Sequence, residues 1–324
     1  ARAHRADGAR EERRLIPLEE IRRARERLGD DVRTTPLVQL EENIWLKLEN
    51  LQPIGAFKIR GALSAIRAAS KEELANGVVT ASVGNMAQGV AWAAREAGVR
   101  ARIVAPHDAS RAKLDAVDRL GGEIVPVSYD EWWQAMVDRG REGVDGMFVH
   151  PSDDPAVIAG NGTIGLELCE QLDAFDTVVV PWGGGGLALG IASAVKSLRP
   201  GTRVVAVEPE TGAPLAASFA AGHQVDVDFT PSFVDGAGGP MLLPGIFAEA
   251  QELIDDALAV SLDDTAHAMR VLASRARVVA EGAGALPVAA ALNGSAGEGT
   301  IICVVSGGNI DAAILARVLA GETP

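Results

Sequence analysis

Three apolar stretches of this sequence each run directly into a turn of small residues, and this repetition constrains the fold more than any other feature. The stretches are Val78–Ser82, Thr177–Pro181 and Thr300–Val305, and the turns that follow are 82–89, 183–186 and 306–309. A β-branched run followed by a glycine-containing turn and a helical pattern indicates a strand that leads into a helix. Because such units repeat along the chain, the sequence predicts an α/β protein with two open, twisted, mostly parallel sheets flanked by helices.

The chain is long enough for two joined domains. Its 324 residues exceed what one hydrophobic core usually serves. The alternation of strands and helices pauses around Phe148–Pro151 and then restarts. We therefore expect a large domain made of residues 1–75 and 150–324, and a small domain made of residues 76–149. The segment Asp226–Gly245 is rich in Gly, Pro and Asp and is predicted to be a loop beside the functional site.

Composition argues against several classes of protein. The formal net charge is −14, from 30 basic and 44 acidic residues, which disfavours binding to nucleic acids or anionic membranes. No uninterrupted run of about 18 apolar residues exists, so no membrane span is predicted. Ala1–Arg14 lacks an apolar core and is interpreted as a solvated lead-in, not as a secretory signal. The two cysteines, Cys169 and Cys303, are predicted to be buried free thiols, which favours a reducing, cytoplasmic location.

The turn from Gly183 to Gly186 is predicted to bind a phosphate. It joins a strand to a helix, and backbone N–H groups without neighbouring Cβ atoms close readily around an oxyanion at a helix N-terminus. The residues themselves leave the identity of the phosphate open. Gly183, Gly185 and Ala188 also satisfy the G-x-G-x-x-A spacing of dinucleotide sites. Glu208 ends a strand about 20 residues further on, where a ribose-binding carboxylate would stand.

Two further features suit a small carboxylate substrate. In Ser82–Gly89 the backbone N–H groups at a helix N-terminus would hold a carboxylate, with hydrogen bonds from Ser82 and Asn85. Helix capping alone is an alternative explanation for a serine and an asparagine there. Lys58 lies between Phe57 and Ile59, and burial of a lysine favours its neutral, nucleophilic amine. Because ligands of open α/β sheets bind where strand ends converge, these features together predict a phosphorylated cofactor and a carboxylate substrate.

Taken in order, the motifs resemble the landmarks of the fold-type II pyridoxal-phosphate enzymes. The matching segments are Phe57–Ala62, Ser82–Asn85, Gly183–Gly186 and Ser306–Asn309. The branch they resemble most is the threonine/serine dehydratases with the related serine racemases, and the match covers nearly all of the chain after about residue 15. Each motif alone is modest, but the four in this order are highly specific. The resemblance implies a large and a small domain with pyridoxal 5′-phosphate between them, and a homodimer.

The resemblance also implies a role for each residue of these motifs. Lys58 would form the Schiff base with the cofactor and would then remove the Cα proton of the substrate. The other implied cofactor contacts are Phe57 beside the lysine, Asn85 at the 3′ oxygen, Gly183, Gly184, Gly185, Gly186 and Leu187 at the phosphate, Ser306 at the pyridine nitrogen, and Glu281 near the cofactor. The neutral hydroxyl of Ser306 would leave that nitrogen largely unprotonated. The implied substrate contacts are Ser82, Val83, Gly84, Met86 and Gln88.

Departures from the family pattern narrow the expected reaction. Serine racemases carry a second serine where this chain has Val83, which cannot transfer a proton, so racemisation is disfavoured. Met86 replaces the usual histidine, which suggests a larger or less polar substrate side chain. Pro214 stands where the family's cation site has an aspartate, and Glu208 alone is a poor metal site. The C-terminal regulatory domain of biosynthetic dehydratases is not expected, because the sequence stops at Pro324.

The predicted function is a pyridoxal-phosphate lyase that catalyses α,β-elimination of a β-hydroxy-α-amino acid. The substrate would be threonine, serine or a bulkier analogue, and the products a 2-oxo acid and ammonia. Three alternatives stay open. The same landmarks serve β-replacement or a threonine-synthase-like reaction; the glycine turn with Glu208 would suit an NAD-dependent oxidoreductase; and a non-catalytic protein would hold the cofactor as a sensor or carrier.

Overall fold

The computed structural model describes residues 16–324, so the predicted lead-in Ala1–Arg14 lies outside the described residues. The helices in this part are α1 Leu18–Leu28, α2 Lys58–Ala68, α3 Asn85–Glu96, α4 Arg111–Arg119, α5 Tyr129–Asp138, α6 Pro155–Gln171, α7 Gly186–Leu198, α8 Pro214–Ala221, α9 Ile246–Leu253, α10 Leu262–Val271, α11 Gly282–Leu292 and α12 Ala312–Leu319. The strands are β1 Leu37–Glu41, β2 Ile44–Leu48, β3 Val78–Ala81, β4 Ala101–Pro106, β5 Gly122–Val127, β6 Met147–Phe148, β7 Thr177–Pro181, β8 Arg203–Pro209, β9 Asp256–Val260 and β10 Ile301–Val305.

The strands form two sheets, as the sequence predicts. The larger sheet has six strands in the order β1-β2-β10-β7-β8-β9, and its one antiparallel pair within residues 16–324 is β1 with β2. The smaller sheet has four strands in the order β5-β4-β3-β6, all parallel. The predicted fold class, two mostly parallel sheets flanked by helices, is confirmed. The strands of the smaller sheet lie between Val78 and Phe148, and those of the larger sheet lie on both sides of that range.

Apolar side chains cover both faces of the larger sheet. One core cluster joins the sheet to α10 and α11, and a second joins its other face to α6, α7 and α9. A third cluster packs α2 and α3 against the smaller sheet. Strands buried in this way read as nearly continuous apolar runs, which is why their positions were predictable. Within residues 16–324, none of the helices has the length and apolar character needed to cross a membrane.

The two cysteines are both free thiols, as predicted. Cys303 lies in β10 and is fully buried, with its Sγ 3.3 Å from the carbonyl oxygen of Pro287. Cys169 lies near the end of α6 and is only partly buried. The prediction of a buried thiol is therefore wrong for Cys169, because the last turn of α6 reaches the surface while its middle turns are covered by α7.

Arg60 lies on α2, two residues after Lys58, and belongs to a buried network of charged side chains. The guanidinium of Arg60 donates to Glu49 at 2.7 Å and to Glu167 at 2.6 Å, and Lys47 donates to the second oxygen of Glu167. Burial alone would raise the pKa of Glu49, but the adjacent Arg60 holds that pKa below its ordinary value. Each charge in this network has an opposite partner, which is the condition for burying it without a large penalty. The network ties α2 to β2 and α6.

Candidate active site

The three predicted turns converge on one cavity of about 290 Å³ between the two sheets. Each turn follows the carboxyl end of a parallel strand: β3, β7 or β10. Strand ends of this kind meet at one edge of their sheet, so residues far apart in sequence come together there. The cavity is lined by every residue predicted to contact cofactor or substrate: Phe57, Lys58, Ser82, Val83, Gly84, Asn85, Met86, Gln88, Gly183, Gly184, Gly185, Gly186, Leu187, Glu281 and Ser306.

Lys58 is the first residue of α2, and its side chain reaches into the cavity. Its Nζ donates to the carbonyl oxygen of Pro151 at 2.7 Å and lies 5.1 Å from the centre of the Phe57 ring. Burial lowers the pKa of Lys58 from 10.5 to about 8. A substantial fraction of this amine is therefore neutral near physiological pH, as a nucleophile or a proton acceptor must be.

The chain before Lys58 is joined by backbone hydrogen bonds to the turn after β10. The N–H of Phe57 donates to the carbonyl of Ser306 at 2.9 Å, and the N–H of Gly308 donates to the carbonyl of Gly55 at 2.9 Å. These two bonds connect segments separated by about 250 positions. They hold the lysine and the buried Ser306 in a fixed relation at the cavity.

The glycine turn leaves no room for side chains. A Cβ on Gly184 would lie 2.3 Å from Oγ of Ser152, and one on Gly186 would lie 2.4 Å from the carbonyl oxygen of the same serine. Gly185 has a φ of 86°, which glycine adopts without strain. The side-chain amide of Asn161 donates to the carbonyl of Gly186 at 3.1 Å and so supports the first turn of α7. The turn is built to present backbone N–H groups at a helix N-terminus, where an anionic group binds.

Asn85 belongs to a polar chain that crosses the cavity. Its Nδ2 donates to Glu281 at 2.8 Å, and its Oδ1 accepts from Asn309 at 2.8 Å. Burial raises the pKa of Glu281 to about 8, and the nearby charge of Asp235 adds to this rise. Glu281 is consequently protonated at neutral pH. The capping interpretation of Asn85 is wrong, because α3 is preceded by Gly84 and has no side-chain cap.

The turn Ser82–Gln88 contributes part of the wall of the cavity. Oγ of Ser82 accepts from the N–H of Gly84 at 3.4 Å, and the first N–H groups of α3 follow directly. Val83 lines the cavity with an apolar side chain. Met86 also lines it, but this residue is only 2% exposed and packs in the cluster that joins α2 and α3. Its position favours a role in packing over extensive contact with a substrate.

Glu208 lies away from the cavity. Its carboxyl group is buried and accepts from the N–H groups of Leu215 at 3.2 Å and Ala216 at 3.0 Å, at the start of α8. Burial raises the pKa of Glu208 to about 8. Both oxygens are used in holding a helix N-terminus, so the carboxyl group is not available to a ribose. In the described part of the chain, no three His, Cys, Asp or Glu side chains cluster as metal ligands.

Replacing Glu208 by glutamine is expected to flatten the dependence of stability on pH. The folded-state pKa of about 8 exceeds the ordinary value of 4.5, so the stabilising contribution is complete below about pH 4.5 and is lost as the pH rises through about 8. Glutamine keeps an acceptor for the two N–H groups and has no proton to lose. Urea denaturation at about pH 5 and about pH 8 should show a smaller loss of unfolding free energy in the variant than in the wild type. An equal loss in both proteins would contradict this explanation, and Glu210→Gln, at an exposed position two residues further along the chain, is the control.

Several residues of the cavity were not predicted from the sequence. They are Lys113, Trp132, Pro151, Ser152, Pro181, Asp235, Gly236 and Asn309. Asp235 and Gly236 lie in the segment predicted as a loop beside the site, which has no helix or strand from residue 226 to 245, so that prediction is confirmed. Lys113 of α4 forms an ion pair with Asp235 across the cavity. Trp132 packs against the smaller sheet, and its indole also lines the cavity.

Comparisons with known proteins agree with this site. The chain belongs to the pyridoxal-phosphate dependent enzyme family, whose model matches residues 28–307. It is 41% identical over 317 residues to an L-threonine ammonia-lyase of Thermotoga maritima, covering 94% of this chain and 78% of that one. The fold is similar to that of maize serine racemase, with a TM-score of 0.86, 33% identity and coverage of 94% of this chain and 97% of that one. A threonine deaminase isoform from Solanum lycopersicum has a TM-score of 0.83 and 33% identity, covering 94% and 87% of the two chains.

Proposed function

We propose that this protein catalyses the pyridoxal-phosphate dependent α,β-elimination of a β-hydroxy-α-amino acid. The amino acid loses water and the product is hydrolysed, so that one 2-oxo acid and one ammonia are released for each substrate consumed. The observation that carries the proposal is the meeting of the Lys58 amine, the glycine turn and the Asn85–Glu281 pair in one cavity. The similarity to proteins named L-threonine ammonia-lyase supports elimination over other reactions of the family.

The residues of the cavity fit pyridoxal phosphate. Gly183–Gly186 lie at the N-terminus of α7, and a Cβ atom on Gly184, Gly185 or Gly186 would collide with neighbouring residues, so this turn presents backbone N–H groups that suit the phosphate. Lys58 supplies the primary amine that an aldehyde requires, and Ser306 supplies a hydroxyl for the ring nitrogen. When bound, the cofactor provides an aldehyde carbon for an amine and a ring that withdraws electrons from Cα.

Side chains and backbone groups around the glycine turn have separate roles in the proposed reaction. Lys58, with its pKa lowered to about 8, accepts the Cα proton as a general base. The carbonyl of Pro151 orients its Nζ through a single hydrogen bond. The backbone N–H groups from Ser82 into α3 bind the substrate carboxylate at a helix N-terminus. Asn85, held at both ends by Glu281 and Asn309, keeps its amide group in place beside the cofactor.

Val83 supports a reaction on one face of Cα. A second proton carrier opposite Lys58 is what racemisation requires, and a valine side chain cannot hold a transferable proton. We therefore assign elimination, and not racemisation, to this cavity, although solved serine racemases share the fold.

The wild-type protein, loaded with pyridoxal phosphate and given threonine or serine, is expected to release 2-oxo acid and ammonia in equal amounts without any added nucleophile. No D-isomer should accumulate, because Lys58 is the base on one face only. The measurement combines a coupled ammonia assay, 2-oxo acid detection and chiral chromatography. Val83→Ser is the matched variant, and it should allow some D-isomer to form. Product formation that depends on a second nucleophile would instead favour β-replacement.

The oxidoreductase alternative lacks support in the geometry. Its ribose carboxylate, Glu208, is buried and occupied with the N-terminus of α8. A non-catalytic cofactor carrier would need neither a base nor a carboxylate site, and this cavity has both. Absence of product across a panel of β-hydroxy amino acids would favour the carrier.

We also propose a cellular location, a division into domains and an oligomeric state for this chain. Free thiols at Cys169 and Cys303 and the net charge of −14 support a reducing, cytoplasmic location. The four strands of the smaller sheet all lie within residues 76–149, which supports a small domain of those residues. Residues 1–75 and 150–324 would then form the large domain. Family resemblance supports a homodimer, for which analytical ultracentrifugation is the direct measurement.

A further inference from the structure

Trp132 is a prominent part of the cavity that the proposed reaction does not use. The residue is the fourth of α5 and is half-buried. Its ring packs against the smaller sheet and lines the cavity. Its Nε1 is buried without a hydrogen-bond partner among residues 16–324. A buried donor without an acceptor lowers stability, and most buried polar atoms avoid it. The indole therefore contributes apolar surface to this site, not an N–H group engaged by the protein.

The position of this ring is well fixed. Oγ of Ser128 accepts from the N–H of Glu131, and the carboxylate of Glu131 accepts from the N–H of Ser128 at 2.9 Å, which closes a capping box at the start of α5. The Trp132 ring lies 5.4 Å from that of Tyr129 and 6.3 Å from that of Trp133. Aromatic residues make up only 4% of the chain, yet three occur within five positions here. The capped helix and the neighbouring rings therefore hold the Trp132 indole at the edge of the cavity.

The surroundings of Trp132 do not suit a charged substrate side chain. Val83 adds a second apolar surface to the cavity. The side chains of ionisable residues that line the cavity in the described part of the chain are those of Lys58, Lys113, Asp235 and Glu281. Lys113 and Asp235 are paired with each other, and Glu281 is bonded to Asn85. Lys58 is assigned to the reaction, so no unpaired charge is left to bind a carboxylate or ammonium group on the substrate side chain.

We propose that Trp132 packs against the side chain of the substrate and selects β-hydroxy-α-amino acids that carry an aromatic or branched apolar group on Cβ. This inference rests on the proposed elimination and specifies its substrate class. Aromatic groups bury a large area against an indole and favour defined tilted or offset arrangements. The methyl group of threonine and the hydrogen of serine offer much less surface to the same wall.

The first test compares β-phenylserine with threonine as substrates. The wild type should show the higher kcat/KM with β-phenylserine. Trp132→Ala should lower that value by roughly tenfold or more, mainly through KM, and change the value for threonine by no more than about threefold. Trp132→Phe is expected to fall between the two, because no hydrogen bond is lost with the indole N–H. Trp133→Ala is the matched control, since this half-buried tryptophan is the next residue of the helix and does not line the cavity.

A second measurement does not depend on turnover. Phenylalanine and alanine lack a β-hydroxyl group and cannot undergo the elimination, so their dissociation constants are measured from the visible absorbance of the loaded enzyme. The wild type should bind phenylalanine more tightly, and Trp132→Ala should remove most of that preference while Trp133→Ala keeps it. If wild-type binding shows no preference, or if Trp132→Ala leaves the preference intact, the inference is overturned. If the preference follows Trp132 but no hydroxy amino acid yields ammonia, selection by Trp132 stands and the proposed elimination is wrong.

Discussion

Replacing Lys58 by alanine is expected to lower ammonia release by about a thousandfold or more, because the side chain is both the attachment point of the cofactor and the general base. The neutral amine is available near physiological pH because burial lowers its pKa to about 8. Borohydride treatment of the wild type should fix the cofactor to a peptide that contains Lys58, whereas the variant should hold the cofactor only through non-covalent contacts.

Added methylamine provides a sharper control for the Lys58→Ala variant. A small primary amine that enters the cavity should restore part of the proton transfer, but it should not rescue a variant that has lost its fold. Lys58→Arg keeps a positive charge yet offers no amine of suitable basicity, so it should stay inactive. Full activity of Lys58→Ala with any candidate substrate would contradict the role of this residue.

Replacing Arg60 by methionine is expected to lower the free energy of unfolding by about 3–5 kcal/mol. The change removes the shared partner of Glu49 and Glu167, which are 0% and 5% exposed. Two buried carboxylates would then face only Lys47. Urea denaturation gives the free energy, and an unchanged m-value would show that the unfolding transition itself is the same.

Arg25→Met is the matched control for Arg60→Met. Arg25 pairs with Glu170 at 2.5 Å, but both side chains are about half exposed, at 47% and 59%. Surface pairs of this kind contribute about 0–1 kcal/mol. If Arg60→Met and Arg25→Met lower the free energy of unfolding equally, loss of the buried network does not explain the effect of Arg60→Met. Combining Arg60→Met with Glu49→Gln should recover part of the loss, because Glu167 keeps its ion pair with Lys47 and the carboxylate that lost its partner is then removed.

The positions of the sheet strands and of the site followed from the sequence because both depend on local signals. Buried parallel strands are continuous apolar runs, and the turns after β3, β7 and β10 carry glycine where a Cβ would clash or a ligand must approach. The elements that were missed are β1, β6, β9, α8, α9 and α12. Each has at most eight residues, so it offers few positions on which a hydrophobic period can be recognised, and β9 is an edge strand whose side chains are mostly half-exposed.

The partners of the site residues were beyond what the sequence could predict. Asn85 reads as a helix cap in the sequence, and only the fold brings Glu281 and Asn309 to its amide. The sequence does not predict that Glu49 and Glu167 lie around Arg60. Trp132 packs partly in a core, and its position at the cavity depends on how α5 lies against the smaller sheet. Long-range contacts of this kind depend on how the elements pack.

The central place of β10 in the larger sheet means that the site can be assembled only after most of residues 16–324 have been made. Among the sheet's strands β10 comes last in the chain, yet it pairs between β2 and β7, and the turn after it bonds to the segment that leads to Lys58. Until a ribosome has added β10, β2 and β7 have a gap between them and the segment before Lys58 lacks its backbone hydrogen bonds to the turn after β10. Cofactor capture on the ribosome should therefore begin only after residue 308 has left the exit tunnel.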